Sequence, residues 1–217
     1  MTIHHHPSDS LLTAFAAGTL DHGQHIAIAT QLIACRHCRG WVRAVERVGG
    51  AVLAALPPAA MSTGALARIE ARLGEPSHAA ETAATPAPSG IDDVPGLPTF
   101  MRRYAAKGWE WIAPGVHLRS ILLPQASSTR VFLLKFGAGT KMLQHSHTGL
   151  EMTCVLAGAF SHEDGHYGPG DFDLGDETVD HQPVVDPGEE CICLVAMQGG
   201  FRLNGIIGRL MQPFIRL

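Results

Sequence analysis

"GTKMLQHSHTGLEMTCVLAG" (Gly139–Gly158) sets the reading of the second half of this chain. Side chains alternate along a strand, so His145 and His147 project to one face if QHSHT is extended. Thr148 and Gly149 permit a turn, and Glu151 then returns on the neighbouring strand. Two imidazoles and a carboxylate facing the inside of a barrel suit a divalent transition metal. A fourth donor has to come from elsewhere, and His181 in TVDHQPVV, at the start of a later strand, is the candidate. The plainer alternative is a barrel with surface histidines. Chance weighs against it, because G-x5-H-x-H-x3-E-x6-G arises at random on the order of once in a few thousand chains of this composition.

The surroundings of the motif agree with a β domain. From about residue 100 the chain is short apolar runs separated by Gly, Pro, Asp and Asn. GVHLRSILLP, TRVFLLKFG, LEMTCVLAG, CICLVAM and FRLNGII read as strands, and GHYGPGDF as a turn between strands. Many short strands without a helical stretch predict an antiparallel β-barrel or jelly roll. The loop SHEDGHYG carries His162, Glu163, Asp164 and His166, an accessory metal patch or, more commonly for such a loop, a solvated turn. Cys191 and Cys193 share one strand face and are candidate redox thiols; the alternative is a buried strand in which both act as small apolar residues.

The first half has helical signals. Ser8 can cap a helix through DSLLTAFAA that Gly18 stops, and Asp21 with Gln24 forms a capping box before HIAIATQLIA. RGWVRAVERVGGAVLAAL has apolar spacing of three and four and is ended by Pro57-Pro58; Ser62 opens a fourth helix that Gly74 can stop. The stretch EPSHAAETAATPAPSGIDDVPGLP is rich in Ala, Pro, Ser and Thr and reads as a linker. The expected organisation is therefore α+β with two domains: a four-helix domain over residues 1–78, a linker over 79–98 and a β domain over 99–217.

Composition narrows the function classes. The 217 residues carry a net charge of −4 and no long basic run, which disfavours direct nucleic-acid binding through a charged face. No apolar run is long enough to cross a bilayer, and no secretory signal opens the chain. Five cysteines, an odd number in scattered groups, do not form a disulfide scaffold and fit a reducing cytoplasm. Thirteen histidines point to metals.

Cys35 and Cys38 form C-x-x-C, a pattern that chance alone places in about one chain in ten with this many cysteines. It falls at the junction of two helices, where both thiolates can meet one ion, and the histidines at 4–6 can fold back toward it. A helical unit of fewer than about 80 residues has a thin core, so a structural ion would help hold it.

Two resemblances follow from these motifs. Gly139–Gly158 matches the first signature of the cupin superfamily, and YGPGDFDLGDETVDH resembles the second in looser form; the likeness implies a metal held by His145, His147, Glu151 and His181. The C-x-x-C after a capped first helix, the β domain behind it, the opening MTIHHHPSDSLLTAFAAGTL, CICL and the closing LMQPFIRL together resemble the ChrR-type zinc anti-sigma factors. That resemblance implies up to two zinc ions, although the cupin metal can also be Fe, Mn, Ni or Cu in the wider superfamily. It implies helical-domain zinc ligands His6, Cys35 and Cys38. Gln31 stands where the family has its fourth ligand, a histidine. Another histidine (His5, His25 or His37) can replace it, water or Gln31 can complete a weakened site, or packing alone can hold the helices. The resemblance further implies a cytoplasmic partner, an ECF-type (group-IV) sigma factor, sequestered by the helical domain and released on an oxidative signal such as singlet oxygen or organic peroxide. Leu11, Leu12, Phe15, Trp41 and Val45 are docking candidates that double as core candidates. The rival reading is a cupin metalloenzyme, a dioxygenase or isomerase, with a helical domain that regulates or oligomerises it. A third is a zinc-stabilised scaffold for another protein.

Overall fold

A computed structural model of the chain describes residues 2–73, 90–123 and 127–203. Four helices come first: α1 (Asp9–Ala16), α2 (His22–Ala34), α3 (Arg36–Ala55) and α4 (Ala65–Leu73). Their ends are written locally. Ser8 Oγ accepts the Leu11 N–H at the head of α1, and Asp21 with Gln24 closes a reciprocal capping box at the head of α2. Cys35 both ends α2 and caps α3, its Sγ accepting the Cys38 N–H at 3.3 Å. Leu56 is extended, as the residue before a proline must tend to be, and α3 stops there. α4 begins at Ala65 rather than at Ser62, because the Ser62 carbonyl accepts the Ala65 N–H at 3.0 Å in a turn. The expected stop at Gly74 lies outside the described residues.

A short 3-10 helix (Thr99–Arg103) leads into thirteen strands among the described residues: β1 (Ala105–Ala106), β2 (Glu110–Ala113), β3 (Val116–Leu122), β4 (Thr129–Phe136), β5 (His145–His147), β6 (Glu151–Ala157), β7 (Phe160–His162), β8 (Gly165–Tyr167), β9 (Phe172–Gly175), β10 (Asp180–His181), β11 (Val184–Val185), β12 (Cys191–Gln198) and β13 (Phe201–Leu203). They form an antiparallel sheet in the order β1-β3-β4-β12-β6-β9, with β2 also on β3, and two three-stranded sheets, β10-β5-β13 and β11-β7-β8. The expected helical half followed by an antiparallel β domain is the architecture found. GHYGPGDF is less of a turn than its glycines suggest: GHY is β8, and the turn is confined to Gly168–Asp171. Only Phe201–Leu203 of FRLNGII is described. Gly158, the last residue of the opening motif, has φ +67 and lies so close to the Glu190 carbonyl that a Cβ would collide with it.

The apolar run CICLVAM is explained by burial on both faces. Cys191, Cys193, Val195 and Met197 face the barrel interior with Phe132, Leu134 and Val155. Ile192, Leu194 and Ala196 face a second core that contains Ile26, Ala27 and Ile28 of α2. The helical half thus covers the outer face of the large sheet, and full burial of a side chain such as Ile26 contributes about 1.5–3 kcal/mol. The Cys154 thiol, on β6, donates to the Ala27 carbonyl at 3.3 Å across this seam. Residues 79–89 of the expected linker lie outside the described residues. Residues 90–98 pack onto the shared core through Ile91 and Val94, and Arg119 pins them by donating to the Gly90 carbonyl at 2.7 Å and pairing with Asp93 at 2.8 Å.

Candidate metal centres

Sheet register assembles the barrel cluster. Pairing of β5 with β10 sets His145 directly opposite His181, and pairing with β13 sets Phe201 against His147. Alternation along β5 sends His145 and His147 inward. All three histidines are buried, and their Nε2 atoms converge: His181 to His145 at 3.1 Å and to His147 at 3.3 Å. The Leu143 carbonyl accepts from His145 Nδ1 at 2.8 Å. A carbonyl can only accept, so Nδ1 carries the proton and Nε2 presents its lone pair to the cluster. Burial, then the neighbouring His145 charge, lowers His147 and His181 to about 4, so both are neutral donors at physiological pH.

Glu151 stands beside this triad and not within it. Its Oε1 accepts from Thr153 Oγ1 at 3.2 Å, and its Oε2 lies 3.6 Å from His147 Nδ1, on the ring edge away from the convergent Nε2 atoms. Burial first, and then the charge of Asp173, raises the carboxyl to about 8. Among the described residues, Glu151 Oε2, His147 Nδ1 and His181 Nδ1 have no hydrogen-bond partner. Three buried imidazoles converging through Nε2, two of them (His145 and His181) lining a cavity of about 40 Å³ that Glu151 also lines, fit a bound divalent transition metal.

Asp173 belongs to the same cavity and was not anticipated. It accepts from His162 Nε2 at 3.2 Å, and His162, Asp173 and His181 also come within metal-binding reach of one another. Burial is the largest single influence on Asp173 and opposes its charge, but the His162 hydrogen bond together with the His162 and His181 charges and the Leu174 N–H holds the carboxyl below its ordinary range. The register Thr153 opposite Asp173 turns this side chain inward. The one hint in the sequence is an acid between Phe172 and Leu174. The SHEDGHYG loop does not form a patch of its own: His162 turns into the barrel, Glu163 and Asp164 face solvent, and His166 pairs with Asp186 at 2.8 Å at the surface. Cys191 and Cys193 are buried, with their Sγ atoms 3.7 Å apart.

The helical cluster brings together His6, Cys35 and Cys38. His6 Nδ1 lies 3.3 Å from Cys35 Sγ and 3.5 Å from Cys38 Sγ. Both thiols sit at the N-terminal end of α3, whose dipole favours thiolate. Without a cation the Cys38 thiol is pushed up to about 12, by burial first and by Cys35 next. Gln31 stands one turn before Cys35, its carbonyl accepting the Cys35 N–H at 2.9 Å. Gln31 is 1% exposed, and both of its side-chain polar atoms lack a partner among the described residues. Two thiols, an imidazole and an orphaned amide fit a divalent transition metal whose fourth position is poorly served. Of the other histidines considered, His37 has its ring 5.1 Å from that of His6, whereas His5 stacks on Tyr167 and His25 on Phe15.

The docking candidates fall mainly inside. Leu12 is in the core, and Leu11 and Phe15 pack against it. Trp41 is partly exposed and Val45 half-buried. Most of the exposed apolar side chains of the helical half lie further on, among them Val48, Val52, Leu53, Leu66, Ile69 and Leu73, with Ile33 of α2 exposed as well, and α4 buries none of its described side chains. No described helix is long and apolar enough to cross a membrane.

Comparison with known proteins covers both the helical half and the barrel. Residues 99–199 match the ChrR Cupin-like domain family. Over 220 aligned residues, spanning all of both proteins, the chain is 38% identical to the anti-sigma-E factor ChrR of Cereibacter sphaeroides. The chain belongs to the ChrR family. A crystal structure of Rhodobacter sphaeroides SigE in complex with the anti-sigma ChrR superposes with a TM-score of 0.72 at 34% identity, covering 90% of this chain and 99% of that one. ChrR membership extends through both clusters and across the seam between helices and barrel.

Proposed function

We propose that this chain is an anti-sigma factor: its helical half sequesters an ECF-type (group-IV) sigma factor in the cytoplasm, and an oxidative signal received in the barrel releases it. The observation that carries the proposal is the apolar surface from Val48 to Leu73, on helices whose outer turns have no described partner within the chain. Amphipathic helices of this kind dock into grooves of a protein partner. The relative crystallised with SigE is similar over nearly the whole chain. Residues 1–78 are the binding unit, 79–98 the connection and 99–217 the sensing unit.

Zinc is the metal we assign to the helical cluster, through His6, Cys35 and Cys38, because thiolate with imidazole is its preferred donor set. There it supplies a structural tie between the segment before α1 and the α2–α3 junction. In the barrel, His145, His147 and His181 form the converging ligand set, with zinc as the expected ion; Glu151, expected as the fourth donor, lies on the far edge of the His147 ring and would have to turn to reach that ion, and Asp173 stands beside His181. The chain regulates and does not catalyse. A cavity of about 40 Å³ fits an ion and its waters, whereas substrate pockets run to about 300 Å³ or more. The oxidisable groups lining the cavity are the rings of His145 and His181, the Cys193 thiol and the Met142 thioether.

Co-expression with ECF-type sigma factors and capture on the full chain tests this reading. Leu53→Asp with Ile69→Asp should abolish capture while leaving the melting temperature within a few degrees of wild type. Undiminished capture by that double variant would place the binding surface elsewhere and remove the proposal's support.

A further inference from the structure

The segment before α1 is strapped to the barrel. The N–H groups of His4 and His5 both donate to Asp171 Oδ1, at 2.7 and 2.9 Å, and the His5 carbonyl accepts the Phe172 N–H at 3.2 Å. Asp171 is buried, and its second oxygen accepts the Gly168 N–H at 2.9 Å, so the turn between β8 and β9 fixes the carboxylate that fixes the strap. The His5 ring stacks on Tyr167 with centroids 4.1 Å apart. This approach needs Gly165, where a Cβ would lie 2.9 Å from His5 Cε1. The next residue is His6, in contact with both thiols of the helical cluster. On the barrel side, Tyr167 stacks on His162 at 4.8 Å, and His162 bonds to Asp173 and meets the His181 ring edge-on at 5.0 Å. A contiguous series, His6, His5, Tyr167, His162 and His181, therefore joins one donor cluster to the other.

We infer that Asp171 and Tyr167 are positioning residues for the helical cluster and that the strap carries the state of the barrel histidines to it. Asp171 holds the backbone at His4 and His5, and Tyr167 holds the His5 ring, so that His6 faces Cys35 and Cys38. Tyr167 rests on His162 in turn. A change in what His181 and Asp173 hold moves His162, alters the face on which Tyr167 stacks, and loosens His6 from the two thiols. Such a route supplies the intramolecular link that release on a barrel signal requires. The inference rests on the proposed function for its purpose, and its test does not depend on a sigma factor.

The test uses the full chain loaded with cobalt(II), whose thiolate absorption band reports ligation by Cys35 and Cys38 alone if the barrel ion is held by nitrogen and oxygen. The rate at which a chelator removes that band is measured. Asp171→Ala and Tyr167→Leu should speed the loss at least tenfold, and Tyr167→Phe, which keeps the ring, should retain the wild-type rate. His145→Ala should also speed the loss, but add nothing in the Asp171→Ala background. Rates that multiply in the double variant, or an Asp171→Ala chain indistinguishable from wild type, overturn the inference. Labelling rates of Cys35 and Cys38 in the metal-free chain, located by mass spectrometry, give the same comparison without cobalt. Sigma capture is scored alongside. A chain that captures a sigma factor with unaltered rates overturns the strap alone, and one that captures none with coupled rates overturns the proposed function alone.

Discussion

The barrel cluster and the helical cluster solve the same problem with different means. In the barrel, three strands in register set His145, His147 and His181, and the His145 tautomer is set by the Leu143 carbonyl. In the helical half the donors come from a strap and a helix junction, and the buried Gln31 amide one turn before Cys35 has no partner among the described residues. A sheet distributes the cost of holding polar donors over many backbone hydrogen bonds. A junction between helices has few, so an ion there contributes structure as well as charge. The difference teaches that the two centres should respond unequally to loss of a ligand.

The largest expected effect is at the junction. Cys38→Ala should abolish metal binding at the helical centre and lower the thermal stability of the helices by ten degrees or more, whereas His145→Ala should remove the barrel ion with the sheet intact. Metal analysis with far-ultraviolet melts of both variants makes the comparison, and equal loss of stability would erase the distinction. Next in size, Asp173→Asn should weaken the barrel ion about 10–100-fold, the usual cost of losing a carboxylate from the outer shell of a metal site. Chelator competition reads that change; unaltered affinity would demote Asp173 to a bystander. Gln31→His should tighten the helical ion about tenfold, equivalent to about 1.4 kcal/mol. No gain would mean that His37 already serves the fourth position.

The smallest effect concerns pH in the metal-stripped chain. His147 and His181 are held near 4 against an ordinary 6.5, so the unfolded chain binds more protons in that window and stability falls as pH drops through it. Glu151 is held near 8 against an ordinary 4.5, so the folded chain keeps the extra proton and stability falls as pH rises through that window. Two imidazoles outweigh one carboxyl below 6.5, which places the optimum close to pH 6.5. Calorimetry of the stripped chain between pH 4 and 8 should trace a maximum there, and bound metal should flatten it. A stripped chain with a flat profile would show that the barrel histidines are not buried as neutral donors.

Much of this was readable from local pattern. The capping residues Ser8 and Asp21, the break at Pro57 and the i, i+2 placement of His145 and His147 depend on neighbours in the chain, and short-range geometry decides them. Cys35 and Cys38 stood out by their spacing and His6 by its place before the first helix, and the structure brings their donor atoms close together. The docking surface was harder to place, because an amphipathic stripe reads the same whether it faces its own core or a partner. Leu12 went to the core and Val48 to Leu73 stayed outside for reasons no periodicity encodes.

By itself, the sequence determined most helix ends, the longer strands and the imidazole and thiol donors, since helix caps, prolines and strand alternation act over three or four residues. Only the tertiary structure decided that α2 lies on β12, that Asp173 turns into the cavity opposite Thr153, and that Asp171 clasps His4 and His5 from 166 residues away. Those outcomes depend on strand register and on contacts between distant segments. Many registers satisfy the same alternation of apolar and polar residues, and the one that forms is chosen by the packing of the whole molecule.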